Sequence, residues 1–285
     1  MRCVLIFELI TNHSTDTYTN QMLEPSRTAE YVHHINGSAL VIQRRTPSRF
    51  KTEYEKMLFH AHIGPIFSEA LMNNQRCYLE QPEWMRLYES LIEDTPELTD
   101  RSEVVIRLRM RILGLGSMLP DVTDAMDPDF PDSGQRLTVE LKARETHGAL
   151  ICCLEAYKEH VVRTSMASVP QSELALRREI YGTALETLCI YKRILASFCE
   201  AERLQLEIEA QALAARLLEL QTHPAPRHSW IYSEQEKGVA AVVQMTKDEW
   251  ERDLSEMGAE ERWRVACERW RRFNRYIHME GAPGV

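Results

Sequence analysis

The scarcity of chain breakers is the feature that most constrains what this chain can fold into. Eleven Gly and twelve Pro are spread over 285 residues, and long stretches run without either. Turns must be few and elements long, which favours helices over a succession of short strands. Apolar residues recur at helical spacing between the breaks. Leu206, Ala210, Leu213, Leu217 and Leu220 step by four and three, so they share one stripe. Glu207, Gln211 and Glu219 are then expected in solvent, with Arg203 and Glu207 pairing one turn apart. Trp263, Ala266, Trp270, Phe273 and Ile277 form a second such stripe. Alternation in VVIRLRMRIL at 104–113 keeps a strand possible there, but a lone strand would leave backbone groups unpaired, so a helix is the better reading.

Composition breaks this pattern in three places. Residues 119–135 hold several Pro and Asp and read as an exposed acidic loop. The break at 164–172 looks like a helix–helix connection stopped by Pro170, and the break at 222–229 contains two further prolines. No solenoid-period repeat is evident. The expected architecture is all-α, a single domain over 1–285 in which antiparallel helix pairs stack as a bundle.

Charge and cysteine usage narrow the function. A net charge of −9 gives no overall electrostatic reason to approach nucleic acid. The seven cysteines, an odd number, fall mostly among apolar helical residues and read as reduced thiols in a nuclear or cytoplasmic protein. The opening MRCVLIFELITNHS carries one basic residue and no small-residue cleavage site, which predicts no signal peptide. No apolar run approaches the ~18 residues of a membrane span.

Motifs for chemistry are weak throughout. No Cys-x-x-Cys pair is present, and neighbouring Cys152 and Cys153 would point about 100° apart on a helix. Neither His33 with His34 nor His60 with His62 has the four-residue spacing that places two imidazoles on one helix face. LGLGS at 113–117 has no Lys after its two glycines, and Glu260 with Glu261 read as a solvated face. Neither an enzyme, nor a metal, nor a cofactor is therefore expected. The C-terminal helix is more suggestive, because Arg262, Arg264, Arg269, Arg271, Arg272 and Arg275 surround its aromatic stripe. Arg264, Arg271, Arg272 and Arg275 could dock an acidic partner. The plainer and favoured alternative is a core stripe with an ordinary charged outer face, interleaved with Glu260, Glu261 and Glu268.

One series of motifs resembles a known family. In YVHHINGSALVIQRRTP at 31–47, Tyr31, His34, Gly37 and Pro47 follow a Trp-x-x-His-x-x-Gly-Ala element and its later Arg-Gly-Pro. Tyr31 takes the Trp place and Thr46 departs from the usual Gly. The helix-like stretch 58–84 ends in Leu79, Pro82, Glu83 and Trp84, and LIEDTPELTD at 91–100 follows; 185–198 and 200–221 match more loosely. The series resembles the fungal-specific transcription factor domain, the regulatory region of fungal binuclear zinc cluster transcription factors. The resemblance implies a role in transcription regulation: a regulatory or effector module lacking the six-cysteine DNA-reading zinc module, which this chain does not carry. Such a module would act through a protein partner, homo- or hetero-oligomerisation, or a small-molecule effector. It would neither bind DNA specifically by itself nor engage a membrane. The alternative is a helical scaffold recruited to a small-molecule, secondary-metabolite pathway as a ligand-binding protein or enzyme. The motif residues themselves read as scaffold. Gly37 costs a helix about 1 kcal/mol relative to Ala, and Asn36-Gly37 could equally be a turn. Pro82 and Glu83 suit a helix start, and Trp84 would anchor that helix on the core.

Overall fold

A computed structural model describes residues 37–95, 97–128, 133–164, 169–222 and 230–277. Among them no strand occurs, and one isolated bridge joins Glu93 to Ser102. The protein is all-α. A helical segment at 37–45 leads through a short 3-10 turn to α1 (Glu53–Met72), α2 (Pro82–Glu89), α3 (Glu103–Leu113) and α4 (Leu115–Ala125). Then follow α5 (Ser133–Thr164), α6 (Gln171–Phe198), α7 (Arg203–Thr222), α8 (Trp230–Met245), α9 (Lys247–Glu251) and α10 (Ala259–Ile277).

Local chemistry sets the ends. Thr52 and Glu55 form a reciprocal capping box at the start of α1, the Glu55 amide donating to Thr52 Oγ1 at 3.3 Å and the Thr52 amide to Glu55 Oε2 at 2.9 Å. Pro82 occupies the first turn of α2, where its missing N–H costs nothing, and Glu83 lies beside it. Pro170 stands at the N-cap of α6.

Helix α6 is the organising element. It packs against α3, α5, α7, α8 and α10. From Ala184 to Ser197 nearly every side chain is buried, as expected of a helix that is wrapped on all sides. Helices α7 and α8 pack on each other and on α6, while α4 and α5 close the opposite flank. Buried residues from Ala39 to Ile277 form one continuous cluster.

Several expectations need correction, and one is borne out. Residues 119–135 are not an acidic loop. Leu119, Val122, Ala125 and Met126 are buried, and α4 runs through Pro120 to Ala125. An interior Pro costs a helix about 3 kcal/mol, so burial of this stripe outweighs the breaker composition. Asp121 meets Arg76 at 2.5 Å and Lys142 at 2.7 Å, and α5 resumes at Ser133; residues 129–132 of this stretch lie outside the described ones. Glu207 is not solvated but fully buried. Its partner is Arg193, and Arg203 pairs instead with Glu200 at 3.1 Å. Arg269, counted with the surface arginines, is also buried. Among the stripe residues of α10, Trp263 is only half-buried. The 104–113 run is helical, with Val105, Ile106, Leu108 and Ile112 inward and Arg107 paired outward with Glu103 at 2.7 Å. Residues 223–229 and 165–168, parts of the two later breaks, are outside the described residues.

Candidate functional site

The C-terminal helix, where a docking surface was expected, separates into two faces. Trp270, Phe273 and Ile277 are buried with Cys267 and Asn274, whereas Arg264, Arg271, Arg272 and Arg275 are exposed. Three of these arginines meet carboxylates. Arg264 donates to Glu260 at 2.6 Å, Arg271 to Asp127 at 3.3 Å, and Arg272 to Glu249 at 3.0 Å and Glu268 at 3.3 Å. Half-buried Arg262 donates to the Met257 carbonyl at 2.6 Å. Much of the basic surface is thus locally neutralised. Arg136 lies over the ring of half-buried Trp263, its guanidinium carbon 4.0 Å from the ring centroid.

Among the family-motif residues, Trp84 lies in a second, aromatic centre. Trp84 is buried and stacks on Phe59 at 5.6 Å between ring centroids, with Tyr78 at 5.2 Å and Phe50 at 6.1 Å edge-on. The Tyr78 hydroxyl donates to the Ala39 carbonyl at 3.1 Å, tying the 37–45 helix to this cluster. Pro47 begins the 3-10 turn just before it. Thr46, in the place where the resembling family has Gly, has φ 64° and ψ 151°. That conformation is strained for a β-branched residue and open to Gly. Gly37 is exposed at the start of the described helix, and Glu83 is exposed on α2. Tyr31 and His34 lie outside the described residues, as does His33.

The least anticipated site lies under α10. Arg193 of α6 has no exposed surface. Its guanidinium donates to Glu207 Oε1 at 2.7 Å, Thr246 Oγ1 at 3.0 Å and the Val243 carbonyl at 2.9 Å. It also lies 4.2 Å over the Trp250 ring and 5.3 Å from that of Phe273. Burial lowers the Arg193 pKa to about 10, and burial raises that of Glu207, while each partner's charge opposes the shift of the other. Gln211 donates to Glu207 at 2.7 Å and to the Val243 carbonyl at 2.7 Å. Nearby, Arg203 donates to the carbonyls of Trp250 and, at 3.0 Å, of Arg252, and Arg269 reaches the same Arg252 oxygen at 3.4 Å. Helix C-termini leave carbonyls without intrahelical partners. Here buried side chains take up those at the ends of α8 and α9.

Sequence spacing could have flagged Arg193. Cys189, Ile190, Ala196 and Ser197, its neighbours three and four positions away, are small or apolar and share its face. Motifs weighed for chemistry find structural uses. Gly116 of LGLGS lets α4 approach Cys77, whose Cβ would lie 2.8 Å from an added Cβ. His62 Nδ1 hydrogen-bonds the Leu58 carbonyl at 2.7 Å, and burial together with nearby Arg109 pushes His60 down to about 4. Cys77, Cys152, Cys153, Cys189, Cys199 and Cys267 are all free thiols. Among the described residues no group of three or more His, Cys, Asp or Glu could hold a metal ion, and no helix is long and apolar enough to cross a membrane.

In comparisons with known proteins, no family model matches the chain, and no curated protein or solved structure matches it.

Proposed function

We propose that this chain is a regulatory module of the transcription-regulator type, acting through a protein partner or a small effector. The observation that carries the reading is the backbone at Thr46. It adopts a conformation suited to the glycine of the resembling family, between the 37–45 helix and Pro47. Support also comes from Trp84, which anchors the helix begun by Pro82 and Glu83 as a scaffold residue would. Net charge of −9 and the neutralised arginines of α10 argue against direct recognition of a polyanion. A role in the nucleus follows from this reading. The void beside Glu186 has room for one water, about 10 Å3, and none for an organic substrate, so it gives the scaffold-enzyme alternative no support.

Tethering tests the proposal. Fused to a heterologous DNA-binding module, the chain should raise or lower output from a reporter carrying that module's sites. The isolated chain should give no sequence-selective shift of duplex DNA at physiological salt. Unchanged reporter output at equal expression, or a selective shift, overturns it.

A further inference from the structure

Two buried carboxyl groups, on different helices, have no part in the function proposed above. Glu186 of α6 and Glu236 of α8 are each about 3% exposed. Glu236 lies across α6 at Gly182, its carboxylate filling the space that a Cβ there would occupy. Gln221 of α7 donates to Glu236 Oε2 at 2.9 Å. Glu186, one helical turn beyond Gly182, keeps an oxygen with no hydrogen-bond partner. That acid faces a void of about 10 Å3, with room for one water, also lined by Ser68, Thr183, Thr187 and Gln235.

We infer that Glu186 and Glu236 form a proton-loaded latch: both acids are neutral while α8 is docked on α6, and loss of their protons frees α8. Each carboxyl group loses hydration on burial, and the charge of Glu236 further disfavours ionisation of Glu186, so docking favours the protonated acids. The charged and titratable groups turned toward the pair do not reverse this balance. On α6 these are Arg178, which favours an ionised Glu236, Glu179, which opposes it, and the Cys189 thiol, itself pushed up by burial. Helix α7 supplies the neutral Gln221 amide, and α1 and α4 contribute uncharged Phe67, Ser68, Leu71 and Leu115. Burial, then the charge of Glu179, raises Glu236 to about 8, and burial with Glu236 pushes Glu186 well up.

The pH dependence has a definite sign. Unfolded glutamates titrate near the ordinary value of 4.5, so the folded state holds extra protons above it. The stability tied to these protons is intact below that value and is lost as pH rises through about 8. Melting temperature should therefore fall between mildly acidic pH and pH ~9. Amide exchange in α8, corrected for intrinsic rates, should accelerate over the same range. Glu236→Gln keeps the shape without the titration. It should flatten the profile and slow corrected α8 exchange at pH ~9 by about tenfold or more, the equivalent of one pKa unit. An unaltered slope in Glu236→Gln overturns the latch. Should that variant fail to fold, carboxyl-carbon NMR of the wild-type chain decides. Glu186 and Glu236 neutral at pH ~7 sustain the inference, and titration of both near the ordinary glutamate value refutes it.

Discussion

The two ends of the helical stack fill their interiors with opposite chemistry. Around α1 and α2 the core is aromatic: Phe50, Phe59, Tyr78, Trp84 and Tyr88 pack ring against ring. Under α10 it is built on charge, with Arg193 paired to Glu207, lying over Trp250 and Phe273 and donating to the Val243 carbonyl near the end of α8. The aromatic region gains from area removed from water and tolerates imperfect geometry. The charged region depends on partners, since a buried ion loses several kcal/mol of hydration and regains it only through well-placed ones; Arg193 has them, whereas buried Arg269 keeps Nε and Nη1 without a hydrogen-bond partner. A charged core of this kind adds specificity of arrangement, because Arg193 fits only where Glu207, Thr246 and the Val243 carbonyl converge.

Breaking the ionic centre should give the largest effect. Replacing Arg193 with Met leaves Glu207 buried without its counter-ion and removes donors to Thr246 and Val243. A loss of about 3–5 kcal/mol in urea unfolding is expected. Adding Glu207→Leu should recover most of it, since exchanging a whole buried pair for apolar side chains is often neutral. A single variant as stable as wild type would mean that the pair is not desolvated, and the contrast between the two regions would collapse.

The aromatic centre gives a comparable loss with a different signature. Trp84→Ala removes a buried ring stacked on Phe59 and should cost about 3–5 kcal/mol. Here no second substitution restores stability by cancelling a charge, so a partner change such as Phe59→Leu should add to the damage or leave it unchanged. Thermal melts of both variants check this. An unchanged melting temperature would put Trp84 at the surface.

These two regions were unequally legible from the sequence. Helices were readable because Gly and Pro are sparse and because stripes such as Leu206, Ala210 and Leu217 keep helical spacing. Trp84 was readable as an anchor from Pro82 and Glu83 before it. The ionic centre was not. Arg193, Arg203, Glu207 and Arg269 have the residue types of a solvated surface, and the partners of Arg193 lie 14 to 53 positions away in the chain, at Glu207, Val243 and Thr246. Pairing across such separations leaves no local period. Residues 119–125 failed in the opposite direction: local composition spoke for a loop, whereas the tertiary burial of Leu119, Val122 and Ala125 decided for a helix.

The smallest effect belongs to the exposed face of α10, and it tests where the charged core ends. Arg271 and Arg272 lie one and two positions past Trp270, yet their side chains remain about half exposed, at 54% and 49%, and Arg275 is exposed as well. Ion pairs in such positions contribute only about 0–1 kcal/mol, because water already solvates each charge and ordering the long side chains costs entropy. Converting Arg271, Arg272 and Arg275 together to Gln should therefore lower stability by no more than about 1–2 kcal/mol, with the helical circular-dichroism signal retained. Any acidic partner held by this face should bind the variant more weakly, most clearly at low salt, where screening is least. The contrast with Arg193 then comes down to burial: the same side chain type is indispensable buried on α6 and dispensable exposed on α10. Unfolding of the triple variant would extend the charged core to the surface of α10, and would remove the docking surface from consideration.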